Sequence, residues 1–240
     1  MIKPSELRVK IFADGADIES IRAHAANPLI KGFTTNPTLM RGAGIENYVE
    51  FAHEMLGVVG DRPVSFEVFA DDFAEMKAQA LKIASWGTNV YVKIPITNTK
   101  GESASPLIAD LAGQGVQVNV TAIMTLDQVR LVEQALDADV GSVVSVFAGR
   151  IADTGVDPVP VMREAREILA NKPKAELLWA SPRELLNIFQ SDEVGCGIIT
   201  VTPDVLKKLK GVGKDLSKFS LETVEMFYRD AVSAGYTIET

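Results

Sequence analysis

The chain has 240 residues, 47% of them apolar, with 32 acidic against 24 basic side chains and a formal net charge of −8. That length suits one large α/β domain or two small ones, and an acidic balance without a Lys/Arg block argues against nucleic acid or an anionic membrane as partner. Cys196 is the only cysteine, which rules out an intramolecular disulfide, favours a reducing compartment and excludes a cysteine-rich structural zinc.

The opening residues, Met1–Asp17, have neither an apolar h-region nor a small-residue cleavage site. No apolar run approaches the roughly 18–20 residues of a membrane helix. The expectation is a cytoplasmic protein that contacts no membrane. In chain order, Arg8–Asp14 reads as a strand and Ala16–Ala26 as a helix, then Ile30–Asn36 and Tyr48–Val59, then Pro63–Ala70 and Phe73–Trp86. The alternation continues with Asn89–Pro95 and Leu107–Gly113, Val116–Ile123 and Leu126–Leu136, Gly141–Gly149 and Pro158–Ala170. It ends with Ala175–Ser181 and Pro182–Gln190, Cys196–Val201 and Pro203–Leu209, and a final helix over Leu221–Ala234.

Eight strand–helix units imply parallel strands joined by right-handed crossovers. Eight such units in a chain near the roughly 250 residues typical of the architecture predict an α/β fold, a single (β/α)8 TIM barrel. The domain spans residues 1–240, with a C-terminal helix and tail from about 215. A doubly wound open sheet fits less well, because no G-x-G-x-x-G follows the first strand and no Walker sequence occurs.

Residues two apart on a strand share a face, and in a barrel the outward face must be apolar. Val9, Ile11 and Ala13 therefore face out, and Phe12 and Asp14 face in. The same rule sends Gly32, Thr34 and Asn36 inward on the second strand, and Ser65, Glu67 and Phe69 on the third. On the fourth, "VYVKIP", it sends Tyr91 and Lys93 inward, and on the fifth Gln117, Asn119 and Thr121. Ser145 and Phe147 follow on the sixth, and Trp179 and Ser181 on the seventh, opposite Leu178 and Ala180. A lone strand lysine is ordinarily an edge residue with its amine in water. Polar groups delivered by seven strands to one rim read instead as an active site, since an enclosed charge must pair or act.

His24 and His53 fall in predicted helices without metal-ligand spacing, and no Ser–His–Asp set reaches the rim. No metal and no cofactor is expected. One lysine among carboxylates, hydroxyls and amides is a set suited to imine catalysis. Burial disfavours the ammonium form of a lysine and so favours its use as a nucleophile, while ionised carboxylates close by oppose this. Arg150 after the sixth strand, Ser181 and Arg183 at the end of the seventh, and a helix starting near Pro182 together suit a phosphate or other small oxyanion.

The segments "FADGAD", "GFTTNPTL", "FEVFA", "VYVKIP", "VNVTAIMT", "SVFAGRIADTG" and "WASPRE" resemble the transaldolase family, specifically its short-chain members and the fructose-6-phosphate aldolases. The resemblance covers essentially the whole chain. It implies a (β/α)8 barrel, metal-free class I aldol chemistry and a homo-oligomer acting on sugar phosphates. It makes Lys93 the Schiff-base lysine and Asp14 the acid/base carboxylate, with Glu67 and Thr121 orienting a catalytic water. It places Asn36 at the substrate, Ser145 and Phe147 in the pocket wall, and Arg150, Ser181 and Arg183 around the phosphate; Thr34 and Asn119, inward by strand parity, are expected to bind substrate beside them. Glu67 and Phe147 resemble the transferases, where the aldolases carry glutamine and tyrosine. Transfer of a dihydroxyacetone unit is therefore the expected activity. Release of free dihydroxyacetone, or a non-catalytic sugar-phosphate-binding barrel, are the alternatives. Pro182 and Val146 depart from the family pattern, which leaves a modified sugar, such as a sulfonated one, as a further possibility.

Overall fold

The computed structural model describes residues 3–239. Its eight strands are β1 (Lys10–Asp14), β2 (Ile30–Thr34), β3 (Val64–Glu67), β4 (Val90–Pro95), β5 (Val118–Ile123), β6 (Ser142–Val146), β7 (Ala175–Trp179) and β8 (Ile198–Val201). Each pairs in parallel with the next, and β8 returns to β1, so the sheet closes into a barrel. The connections carry α1 (Ile18–Ala25), α2 (Pro37–Gly42), α3 (Tyr48–Val59), α4 (Phe73–Ala84), α5 (Ser105–Gly113) and α6 (Leu126–Ala135). The second half carries α7 (Ala148–Ala152), α8 (Pro158–Ile168), α9 (Leu186–Val194), α10 (Pro203–Lys207) and a terminal α11 (Leu216–Ser233). The expected (β/α)8 architecture is the observed one.

Local chemistry sets the helix starts. The Asp17, Asn36, Asn47, Asp72, Asp157 and Asp215 side chains each accept a backbone N–H of the turn they open. Thr125 and Gln128 form a reciprocal capping box at α6. The outward strand residues, including Phe33, Val64, Phe66, Val92 and Ile94, are fully buried against the helix layer. Inside the barrel, Phe12, Val143 and Ile198 pack with Tyr91 on the N-terminal side of the polar layer. Gly32 makes room for this plug: a Cβ there would come within 2.4 Å of the Phe12 ring.

Four expectations need correction. On β7 the inward residues are Leu178 and Ala180, while Trp179 is buried in the outer layer. "ELLWA" is apolar on both parities, so alternation did not define its face, and the indole takes the larger space between barrel and helices. Phe69 lies past the end of β3, half-exposed, with its ring edge-on to Tyr48 at 4.5 Å. The helix expected from Pro182 begins at Leu186, because the Arg183 and Glu184 N–H groups are taken by the Asn187 side chain in a preceding turn. The last helix starts at Leu216 rather than Leu221, capped by Asp215. Among the described residues no helix is long and apolar enough to cross a membrane.

Candidate active site

A cavity of about 430 Å³ opens at the C-terminal ends of the strands, the face that carries the active site in barrel enzymes. Lys93, near the end of β4, is its central feature and only 8% exposed. Its Nζ donates to the Thr35 carbonyl at 2.7 Å and lies 3.1 Å from a carboxylate oxygen of Glu67. Glu67 is the register partner of Lys93 across β3 and β4, which puts the two side chains on one face by geometry alone.

Asp14 ends β1 and lines the same cavity. It accepts the Thr34 hydroxyl at 2.8 Å, and the Thr34 and Thr200 hydroxyls are themselves in hydrogen-bonding contact. Because Thr34 donates its one proton to Asp14, Thr200 must be the donor to Thr34, giving an ordered relay Thr200–Thr34–Asp14. Loss of hydration holds the Asp14 carboxyl above the ordinary aspartate value of 3.8, opposed by the Lys93 charge and the Thr34 hydrogen bond and reinforced by the Glu67 charge.

Asn119, almost wholly buried, joins three strands: its Oδ1 accepts the Ser145 hydroxyl at 2.7 Å and its Nδ2 donates to the Ser65 hydroxyl at 3.0 Å. Asn36 caps α2 through its Oδ1, at 3.0 Å from the Leu39 N–H. Its two Nδ2 hydrogens have no acceptor among the described residues. Thr121 is buried in the cavity wall, paired in register with Pro95, one step nearer the mouth than Lys93. Just beyond it Ala122 has a φ of 60° and the β5–β6 register slips, a bulge that brings Ala122 into the cavity lining as well.

The far wall is built by a close approach. Gly149 on α7 sits so near the end of β7 that a Cβ would fall 1.6 Å from the Ser181 carbonyl oxygen. That contact brings Phe147, Arg150 and Ser181 together in the lining, with the Arg150 guanidinium 5.9 Å from the Phe147 ring centre. Ser181 reaches the cavity through a left-handed backbone, φ 59°, and not through strand alternation. Arg183 is not in the lining. Its guanidinium forms a two-pronged pair with Asp153, Nε lying 3.0 Å from one oxygen and a terminal nitrogen meeting the other.

Eleven of the twelve residues expected at the site line this one cavity, and Arg183 does not. Sequence reasoning missed Thr200, which alternation along "IITV" places inward beside Ile198. It also missed Tyr48, which bonds the Glu67 backbone from 19 residues upstream. No local pattern signals that contact.

The family model described as "Transaldolase/Fructose-6-phosphate aldolase" matches residues 11–238. A "Probable transaldolase" of Parvibaculum lavamentivorans is 34% identical over 232 residues, covering 96% of this chain and all of the relative. Another "Probable transaldolase", from Methanococcus maripaludis strain C5, is 34% identical over 223 residues, covering 90% of this chain and 99% of the relative. A crystal structure of a "putative phosphonomutase" from Burkholderia cenocepacia J2315 has a TM-score of 0.57 at 13% identity, covering 92% of this chain and 94% of that one, and shares the fold alone. On its sequence along nearly its whole length, the chain belongs to the transaldolase/fructose-6-phosphate aldolase family.

Proposed function

We propose that this protein is a transaldolase-type transferase that carries a dihydroxyacetone unit on Lys93 from a ketose phosphate to an aldose phosphate. The observation that carries the reading is the enclosed Lys93 amine, held between the Thr35 carbonyl and the Glu67 carboxylate, with Asp14 facing the same cavity.

Lys93, as the free amine, attacks the ketose carbonyl carbon. The C–N bond forms, the oxygen takes one proton from the amine and one from a neighbouring acid and leaves as water, and a protonated imine remains. Asp14 then accepts the proton of the β-hydroxyl. The bond between the α and β carbons breaks, and its electron pair moves into the imine to give an enamine while an aldose leaves. Acceptor aldose reverses these steps, and water hydrolyses the final imine to regenerate Lys93. A carboxyl shifted upward by burial suits Asp14 to both halves of this exchange, since the proton it accepts is readily returned. Glu67 and Thr121 stand where they can hold the water consumed or released, and Asn36 presents amide hydrogens to the substrate hydroxyls. Arg150 and Ser181 offer the phosphate end a cation and a hydroxyl.

Transfer is favoured over release because Phe147 brings no hydroxyl to order a water beside the enamine. Val146 and Pro182, which depart from the family pattern, are both buried outside the lining. Neither side chain enters the cavity beside Arg150, so an ordinary sugar phosphate is the proposed donor. Borohydride reduction in the presence of fructose 6-phosphate, read by peptide mass spectrometry, should leave a dihydroxyacetone-sized adduct on Lys93. Lys93→Ala should show no adduct and no transfer while keeping a native circular dichroism spectrum. An active Lys93→Ala enzyme would refute the mechanism. Absence of an adduct with every ketose would favour a binding protein, and free dihydroxyacetone formed without acceptor would favour an aldolase.

The terminal helix supports a homo-oligomer. No residue of α11 is buried, and it presents Leu216, Phe219, Leu221, Val224, Phe227 and Tyr228 to solvent. So many exposed large apolar side chains on one helix call for a partner, and a second copy of this chain is the one proposed.

A further inference from the structure

The ladder between β2 and β3 stops early, and the way it stops ties the sequence to the position of the reactive amine. The Phe33 N–H bonds the Pro63 carbonyl, and the pairing continues as Phe33 with Val64 and Thr34 with Ser65. In a parallel ladder every second residue of one strand makes both rungs to its neighbour. The next rungs would therefore run from the Glu67 N–H to the Thr35 carbonyl, and from the N–H of residue 37 to the Glu67 carbonyl. Residue 37 is proline and has no N–H, so the second rung is impossible. The first is not made either: the Thr35 carbonyl accepts Lys93 Nζ, and the Glu67 N–H turns to another acceptor.

Both orphaned groups of Glu67 go to one side chain. The Tyr48 hydroxyl accepts the Glu67 N–H at 2.9 Å and donates to the Glu67 carbonyl at 3.0 Å. It stands in for the missing strand, using the donor and acceptor capacity of a single phenol. The ring is locked from three sides, 6.2 Å from Phe66, 4.5 Å from Phe69 and 5.8 Å from Trp86 between centres. Tyr48 does not line the cavity and touches none of the reacting atoms.

We infer that Tyr48 is a positioning residue for catalysis: its hydroxyl substitutes for β2, freeing the Thr35 carbonyl to hold Lys93 and fixing the Glu67 backbone so that its carboxylate stays beside the same amine. This rests on the Schiff-base reading of Lys93. Removing the hydroxyl leaves the Glu67 N–H without a partner, and the carbonyl that its register makes available is the one now holding Lys93. The rung then reforms on the same oxygen that holds Lys93, drawing Glu67 toward β2, so both neighbours of the amine shift together.

The test is Tyr48→Phe against Trp86→Phe, which loosens the same aromatic cluster without touching the hydroxyl. Tyr48→Phe should slow both turnover and the single-turnover rate of borohydride-trapped adduct by about tenfold or more, the scale set by a misplacement of an ångström or less. The KM for the ketose should change less than about threefold, because no substrate contact is lost. Trp86→Phe should lower the melting temperature and leave both rates within about twofold of wild type, as expected of a change in packing alone. Tyr48→Phe that traps as fast as wild type overturns the inference alone, as does an equal slowing in both variants, which would mark a packing role. A wild-type protein that traps nothing on Lys93 overturns the Schiff-base reading and this inference with it. Should Tyr48→Phe not fold, amide hydrogen exchange of the wild-type protein decides: a protected Glu67 amide supports the hydroxyl rung, and one exchanging at exposed-loop rates overturns it.

Discussion

Arg183 has both arms of its guanidinium on Asp153, on the surface, whereas Arg150 stands in the cavity wall against Phe147. An exposed ion pair contributes at most about 1 kcal/mol, while a charge-assisted bond to a phosphate contributes about 1.5–3 kcal/mol. Arg150→Ala should therefore raise the KM for a phosphorylated ketose roughly tenfold to a hundredfold. Arg183→Ala should raise it less than about threefold, within the reach of a surface pair. Steady-state kinetics with phosphorylated and dephosphorylated donors measure this, and equal effects of the two substitutions would remove the distinction. Lys93, Glu67 and Asp14 were legible in the sequence because alternation forces a strand's polar residues to one side. The choice between the two arginines was not, because nothing local tells Arg183 that an aspartate 30 residues earlier lies within reach.

At the level of elements, the cavity is shaped by interruptions of regular structure. Pro37 ends the β2 ladder, the bulge at Ala122 adds a second consecutive β5 residue to the lining, and the left-handed Ser181 brings the chain after β7 to the cavity. The most demanding of these contacts is Gly149 against the Ser181 carbonyl, where an added methyl would overlap the backbone of Ser181. Neither backbone can yield cheaply, so Gly149→Ala should destabilise the protein by about 1–3 kcal/mol as an overpacked site. It should also weaken phosphate binding, since Arg150 follows it on α7. Chemical denaturation and donor KM check the two effects, and a variant with unchanged stability would mean α7 can move away. Strand and helix identity were largely readable from hydrophobic period and caps. The face of β7 was not, because "ELLWA" offers apolar residues to both sides, and the short α2 and α7 lack the length for a periodic signal.

For the whole molecule, closure of the barrel turns eight separate strand ends into one site. Asp14 on β1 and Thr200 on β8 become neighbours only when the last strand returns to the first. Outside that closed unit lies α11, without a buried residue of its own. A chain ended after Gly213 should retain the Lys93 adduct yet sediment near monomer mass, while the full-length chain, 25.9 kDa per copy, should sediment as an oligomer. Analytical ultracentrifugation distinguishes these, and a full-length monomer would overturn the proposed docking. The amino-acid sequence by itself determined the repeating strand–helix order, the inward parity of β1 to β6 and the lysine among carboxylates, because period and residue chemistry are local properties of a chain. Only the tertiary structure decided which polar groups hold one another: Thr200 with Thr34, Arg183 with Asp153, Tyr48 with the backbone of Glu67. Those contacts join residues far apart in the chain, and they exist because the barrel closes and its ladders break where a proline, a bulge or a left-handed turn makes a regular rung impossible.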